Sequence, residues 1–255
     1  MLTMQGRNAV VCGLANKRSI AWAVAQRLSD AGARLAITYM NERMKEEAQD
    51  LIDSLPSSTG FQCDANSDEE VERLSAELKQ KYERIDVLVH SIAFAPTEEI
   101  KGDFLNTSRE GFRIALNTSA YSLIALSRAV APLMPGGGSI MTLTYLGAEK
   151  VMPSYNVMGV AKAALESSVR YLAYSLGPRK IRVNAISAGP IKTLASRAVA
   201  GFGEMLKAQS DRAPLKRNVE PKEVGDTALF LASDLSTGIT GEVIFVDCGY
   251  NIMGF

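Results

Sequence analysis

Short apolar runs alternate with amphipathic segments along the whole chain. The apolar runs predict strands at Ala9–Cys12, Arg34–Tyr39, Phe61–Cys63, Val87–His90, Ser139–Leu143, Arg182–Ile186 and Val243–Val246. Segments with apolar residues every three or four positions predict helices near Ile20–Ala31, Glu42–Leu55, Asp68–Tyr82, Ser108–Ala131, Tyr155–Leu176 and Val224–Ser233. Alternating strands and helices indicate an α/β fold, in which a doubly wound, seven-stranded parallel sheet carries helices on both faces.

The composition fits one large domain over residues 1–255. Of the 255 residues, 47% are hydrophobic, which is enough for one sizeable core, and no repeat or linker divides the sequence. Lys plus Arg number 28, as do Asp plus Glu, so the formal net charge is zero. A neutral chain has no long-range field for nucleic acid or an anionic membrane. We therefore expect a small-molecule partner, with no nucleic acid and no membrane.

Targeting signals and cysteine spacing point to the cytoplasm. The sequence has no secretory pattern at its start and no run of about 18 apolar residues. Its three cysteines, Cys12, Cys63 and Cys248, are far apart and lie in or beside strand-like runs. This spacing is typical of small core residues and predicts neither a disulfide framework nor a metal site.

The segment from Thr144 to Leu176 carries the clearest chemistry. Tyr155 and Lys162 are close to two helical turns apart, so a helix that begins at Tyr155 places both on one face. An ammonium group beside a phenol favours the phenolate and lowers a tyrosine pKa that is ordinarily near ~10. Tyr145 offers a second phenol upstream. The alternative interpretation is a tyrosine at a helix start and a solvated lysine.

The sequence around these residues resembles a known family. The quoted stretches are Thr144-Tyr145-Leu146-Gly147 and Tyr155-Asn156-Val157-Met158-Gly159-Val160-Ala161-Lys162. They resemble the enoyl-acyl-carrier-protein reductases of bacterial fatty acid synthesis, a branch of the short-chain dehydrogenase/reductase superfamily. Ordinary members of that superfamily carry Tyr-x3-Lys, whereas this branch carries Tyr-x6-Lys with a second tyrosine upstream.

The resemblance implies a Rossmann-type fold and a specific reaction. It implies NADH-dependent reduction of the trans-2 double bond of an enoyl thioester on acyl carrier protein, by a homotetramer. Tyr155 would donate a hydrogen bond to the thioester oxygen. Lys162 would hold the ribose of the nicotinamide nucleotide, and Tyr145 would shape the pocket or assist with the thioester.

Cofactor-binding positions follow from the same resemblance. They are Gly13, Ser19, Ile20, Met40, Asp64, Ala65, Ser91, Ile92, Lys162, Ile191, Thr193, Leu194 and Ala195. Most of them follow predicted strands, and open α/β sheets bind ligands at the carboxyl ends of strands. Near the second strand, Glu42 favours NADH while Arg43 leaves room for the extra phosphate of NADPH. NADH is the expected cofactor, with NADPH left open.

The substrate side is assigned in the same way, to Phe94, Ala95, Tyr145, Met158 and Phe202. An apolar stretch at about 191–207 with two glycines suits a mobile lid over an apolar pocket. An ordinary surface helix is the alternative interpretation of that stretch.

Two polar residues keep two interpretations each, and the histidine has one. Asp64 is either a partner of the adenine amino group or the cap of the next helix. Asn117 either supports Lys162 or lies on an exposed face. For His90, the only histidine, we expect a hydrogen-bonded structural residue and no catalytic role.

Two rival functions remain. A carbonyl reductase of the same superfamily would reduce a ketone with the same cofactor. A dinucleotide-binding regulator would bind NADH without chemistry.

Overall fold

The computed structural model describes residues 2–193 and 201–254. Its seven strands are β1 (Asn8–Cys12), β2 (Arg34–Tyr39), β3 (Ser58–Gln62), β4 (Val87–His90), β5 (Gly138–Thr144), β6 (Ile181–Ala188) and β7 (Val243–Val246). They form one parallel sheet in the order β3-β2-β1-β4-β5-β6-β7. The predicted fold class is confirmed, and each predicted strand overlaps an observed one.

The helices cover both faces of the sheet. They are α1 (Ile20–Asp30), α2 (Glu42–Asp53), α3 (Asp68–Lys81), α4 (Arg109–Leu116), α5 (Ser122–Val130), α6 (Val157–Leu176), α7 (Phe202–Arg212) and α8 (Pro221–Ala232). Buried residues of α1, α2 and α8 share one hydrophobic cluster with one face of the sheet. Those of α3, α5 and α6 share a second cluster with the opposite face. Within the described ranges, no helix is long and apolar enough to cross a membrane.

Two helix predictions need correction. The single helix expected over Ser108–Ala131 is interrupted by a π-helical turn at Asn117–Tyr121. The sequence does not reveal this turn, because the apolar periodicity continues across it. The helix expected from Tyr155 begins instead at Val157. Asn156 just before it has a positive φ of 38°, which a helix does not contain.

The sheet order fixes where a ligand can bind. Strand β1 lies between β2 and β4, so successive connections leave β1 in opposite directions. In open α/β sheets this change of direction opens a crevice beyond the carboxyl ends of the strands. The loops that carry most of the predicted site residues follow the first six strands, β1 to β6, at that edge.

Candidate active site

The first turn of the fold has the form that a dinucleotide needs. Gly13 has a φ of 95°, and a Cβ there would collide with the Ser91 carbonyl oxygen and the Ile92 side chain. Glycine is therefore required where the loops after β1 and β4 touch. Helix α1 begins at Ile20 and is capped by Ser19, whose hydroxyl accepts a hydrogen bond from the Trp22 amide at 3.2 Å. A capped helix N-terminus at this crevice fits a pyrophosphate.

The predicted adenine side lies at the next two strand ends. Met40 follows β2 and is exposed, while Asp64 and the buried Ala65 follow β3. The Asp64 carboxylate accepts a hydrogen bond from the Asn66 amide at 2.9 Å. Ser67 caps α3, so Asp64 is not the cap residue of that helix. The adenine role of Asp64 stays a prediction.

Two tyrosines meet beyond the end of β5. The rings of Tyr145 and Tyr155 lie 5.0 Å apart between centroids and are inclined at 75°, which is an edge-to-face contact. The contact depends on Gly147, because a Cβ there would lie 2.5 Å from Cδ1 of Tyr155. The Tyr145 hydroxyl lies 3.4 Å from Sδ of Met205 on α7. The sequence motif therefore assembles as a pair of phenols in edge-to-face contact.

The relation of Tyr155 to Lys162 differs from the expectation. Tyr155 lies in a turn, between Ser154 and Asn156 with φ of 62° and 38°, and precedes α6. The prediction that Tyr155 and Lys162 share a helix face is wrong. The turn instead directs the Tyr155 ring back over Gly147 and Tyr145.

Lys162 lies inside the protein. Its side chain is buried on α6, and Nζ donates a hydrogen bond to the Leu143 carbonyl oxygen of β5 at 2.7 Å. Burial lowers the pKa of Lys162 to about 8, and the Glu166 carboxylate opposes that effect. The solvated-lysine interpretation is therefore wrong.

The phenol pKa moves opposite to the expectation. Burial raises the pKa of Tyr155, and so do the neighbouring Tyr145 and Glu166. Burial likewise raises the pKa of Tyr145. The predicted lowering of the Tyr155 pKa is wrong because removal of the phenol from water is the largest effect on that pKa. Tyr155 is accordingly a protonated hydrogen-bond donor over the ordinary pH range.

The expected substrate side forms an apolar wall next to Tyr155. Met158 is buried in a small cluster to which Ala95 and Tyr155 are packed. Ser119, in the π-helical turn, receives a hydrogen bond from the Phe94 amide at 3.0 Å and lies 3.8 Å from Sδ of Met158. Sequence patterns gave no indication of Ser119, because a π turn has no signature of its own. The Phe94 side chain is exposed beside this wall.

Asn117, in the same π turn, does not reach Lys162. Its amide nitrogen donates a hydrogen bond to Asn66 at 2.9 Å on the exposed side. The Asn117 side chain is half-buried and bonds to Asn66, and both interpretations of its role stay predictions.

The loop after β6 closes the far side of the site. Ile191 is buried in the main core and Thr193 follows it, with its amide hydrogen-bonded to the Ile191 carbonyl. Leu194 and Ala195 lie outside the described residues, as does the middle of the lid expected at about 191–207, which is described at 191–193 and again from 201. The last part of the expected lid lies in the first half of α7, an 11-residue helix with the half-buried Phe202 at its start. The lid role stays a prediction.

Comparison with known proteins agrees with this geometry. Residues 13–251 match the family model described as enoyl-(acyl carrier protein) reductase. The chain is 52% identical to the enoyl-[acyl-carrier-protein] reductase [NADH] FabI of a Nostoc species, with all of both chains covered. It is 52% identical to the protein of that name from Bacillus subtilis, with 98% of each covered.

A solved structure extends the likeness to three dimensions. The Bacillus cereus enoyl-acyl carrier protein reductase with NADP⁺ and indole naphthyridinone has a TM-score of 0.98, 50% identity and full coverage of both chains. Among the described residues, no cluster of His, Cys, Asp or Glu is arranged to hold a metal ion. The matched residues include the paired tyrosines and the buried lysine, and the chain belongs to the enoyl-(acyl carrier protein) reductase family of oxidoreductases.

Proposed function

We propose that this chain reduces the trans-2 double bond of enoyl thioesters on acyl carrier protein with NADH, in the last step of the fatty acid elongation cycle. The observation that carries the proposal is the edge-to-face pair of Tyr145 and Tyr155 at the crevice, with a buried Lys162 behind the end of β5. When bound, NADH supplies the hydride that reaches the β-carbon of the substrate.

Tyr155 stabilises the charge that reduction creates. Hydride addition at the β-carbon sends negative charge to the thioester oxygen as an enolate, and uptake of a proton at the α-carbon completes the reduction. A protonated phenol held in a partly dry site donates a hydrogen bond to that oxygen, and such donors are worth more away from water. The raised pKa of Tyr155 keeps the proton on the phenol while it donates.

Lys162 and Tyr145 support that step. Lys162 holds the nicotinamide ribose hydroxyls and supplies positive charge, since an ammonium has three N–H donors and one of them is engaged by Leu143. Tyr145 holds the Tyr155 ring in place and contacts α7 through Met205. The apolar wall of Ala95 and Met158 accepts the acyl chain.

The remaining cofactor contacts fall into three groups in the proposal. Gly13, Ser19 and Ile20 bind the pyrophosphate, and Met40, Asp64 and Ala65 bind the adenosine. Ser91, Ile92, Ile191, Thr193, Leu194 and Ala195 surround the nicotinamide nucleotide, and Phe94 and Phe202 border the acyl chain.

Cofactor choice and partners belong to the proposal as well. NADH is favoured by Glu42 near the end of β2, while the Bacillus cereus relative holds NADP⁺. Acyl carrier protein is acidic and would dock near the exposed Lys192 and Lys207.

A homotetramer is supported by Tyr171 and Tyr174, which are exposed on α6 and suited to subunit packing. Three buried free cysteines suit the reducing cytoplasm.

The test is loss of reduced-nicotinamide absorbance with a short trans-2-enoyl thioester, run in parallel with NADH and NADPH. Consumption of NADH, and none with the matched β-keto thioester, is the expected result. Turnover of the ketone alone would establish the carbonyl reductase. Tight NADH binding without turnover of either thioester would establish a regulator.

A further inference from the structure

A buried carboxylate lies one helical turn from Lys162 and has no part in the proposed reaction. Glu166 is 6% exposed, and its Oε1 accepts a hydrogen bond from the Thr144 hydroxyl at 2.6 Å. Residues four apart on a helix lie on the same face, so Glu166 and Lys162 both point at the sheet. Carboxylates are seldom buried unless something compensates their charge.

The two charges are fixed by consecutive residues of β5. The Leu143 carbonyl accepts the hydrogen bond from Lys162, and the Thr144 hydroxyl donates to Glu166. Among the described residues the ion pairs within 4 Å do not include Lys162 with Glu166. The two charges therefore interact through space and not as a direct ion pair, and burial makes that interaction stronger than it would be in water.

Several charged and titratable groups surround the pair. They are Tyr155 and Tyr145 near the turn, His90 on β4, Glu149 after β5, and Arg170 on α6. Burial raises the pKa of Glu166, Glu149 raises it further, and the Thr144 hydrogen bond, Arg170 and Lys162 lower it. Glu166 in turn opposes the loss of the Lys162 proton and raises the pKa of Tyr155. Both effects favour the protonated forms that the reaction needs.

We propose that Glu166, held by Thr144, is a positioning residue that keeps the buried Lys162 ammonium charged while Tyr155 remains a protonated donor. The inference rests on the proposed function for its catalytic consequence. Its electrostatic part concerns Lys162 itself and can be measured through cofactor binding.

The experiment compares the pH dependence of wild type and variants from about pH 6 to 10. Two properties are recorded: kcat/KM with a short enoyl thioester, and the dissociation constant of NADH from protein fluorescence. In Glu166→Gln the midpoint of the decline on the basic side of both curves should fall by about one pH unit. The reason is that a nearby negative charge raises the pKa of a cation by about that much, and this variant removes the charge. Thr144→Val should shift it by less.

Three matched variants serve as controls. Thr144→Ser keeps the hydroxyl and should restore the wild-type midpoint. Glu166→Asp keeps the charge and should restore most of it. Glu72→Gln removes an exposed carboxylate on α3 and should leave the curves unchanged.

Each outcome decides the question. Unmoved midpoints in a folded Glu166→Gln protein, or an equal loss at every pH with a lower Tm, would overturn the inference in favour of a structural role. If Glu166→Gln does not fold, the comparison of Thr144→Val with Thr144→Ser decides, and equal midpoints would overturn it. If the wild type binds NADH but reduces no enoyl thioester, the proposed function fails, while the binding curves still decide the role of Glu166.

Discussion

Two basic side chains are buried beside the neighbouring strands β4 and β5, and their pKa values are lowered to very different extents. His90 ends β4 with Nδ1 2.8 Å from the Thr142 hydroxyl and Nε2 2.8 Å from the Ser122 hydroxyl. Burial, reinforced by the charge of Lys162, lowers the pKa of His90 to about 3. Lys162 lies behind β5, and its pKa falls only to about 8.

The neighbours explain the difference. Both ring nitrogens of His90 meet neutral hydroxyls, which satisfy an uncharged imidazole fully. Lys162 meets a carbonyl oxygen and the field of Glu166, both of which favour the charged form. Burial alone therefore does not identify a functional residue. The groups around a buried base decide whether it serves structure as a neutral side chain or chemistry as a cation.

The largest effect is expected at the phenol that Lys162 serves. Tyr155→Phe should lower kcat by about 10² to 10³, the usual loss for one donor to a developing oxyanion. NADH affinity should change little, because the role of Tyr155 is toward the substrate. Steady-state kinetics and NADH titration measure both, and unchanged turnover would remove Tyr155 from the mechanism.

Lys162→Met tests the charged member of the comparison. The folded pKa of Lys162 is lowered to about 8. Between pH 8 and the ordinary pKa of ~10.4, Lys162 keeps its proton in the unfolded chain but not in the folded protein. The free energy of unfolding therefore rises with pH in this window. Between pH 7.5 and 10.5, the free energy of unfolding of the wild type should rise by about 3 kcal/mol relative to that of Lys162→Met. Urea unfolding of the cofactor-free proteins measures it, and parallel pH curves would mean that Lys162 titrates normally.

The same variant should weaken NADH binding. Removal of the ammonium takes a charged donor from the ribose, and hydrogen bonds to charged groups are worth about 1.5 to 3 kcal/mol, or roughly tenfold or more in affinity. Fluorescence titration checks it, and normal affinity would contradict the ribose role.

His90→Gln tests the neutral member. The folded pKa of His90 is lowered to about 3, so stability is complete above the ordinary value near ~6.5 and is lost as pH falls toward 3. As the pH falls from 7 to 5, the free energy of unfolding of the wild type should fall by about 2 kcal/mol relative to that of His90→Gln, because the glutamine side chain does not titrate. Turnover at pH 7.5 should stay within about threefold of wild type. A large loss of kcat in a stable variant would give His90 the catalytic role that its contacts argue against.

The smallest effect is expected at Tyr145. Tyr145→Phe keeps the ring that packs on Tyr155 and removes only the hydroxyl beside Met205. The lost contact is worth about 0.5 to 1.5 kcal/mol, so kcat/KM should fall by less than about tenfold. Tyr145→Ala also removes the edge-to-face contact and should cost more. Equal losses in the two variants would assign the whole effect to the hydroxyl.

The sequence was sufficient to predict the sheet, and it singled out Tyr145, Tyr155 and Lys162, whose roles in the reaction stay predictions. Each strand is a short apolar run that can be recognised from neighbouring residues alone, without knowledge of contacts with distant parts of the chain. The turn at Ser154 and Asn156 was missed because positive φ at residues other than glycine is a tertiary outcome. The sign of the Tyr155 pKa change was missed because burial depends on the packing of α6 against β5.

Two further contributors carried no sequence signal that separates them from ordinary helix residues. Glu166 reads as a polar position of α6, and Ser119 as part of a continuous amphipathic helix. Only the structure shows the contact of Glu166 with Thr144 and that of Ser119 with Phe94.

The most direct test of this account is the titration of the Lys162 ammonium. The ¹³Cε signal of Lys162, assigned by its absence in Lys162→Met, is followed by NMR from pH 6 to 11 in the cofactor-free protein. The account predicts a midpoint near pH 8 that moves lower in Glu166→Gln, while the imidazole of His90 stays neutral down to pH 5. A Lys162 midpoint near 10.4 in both proteins would contradict it.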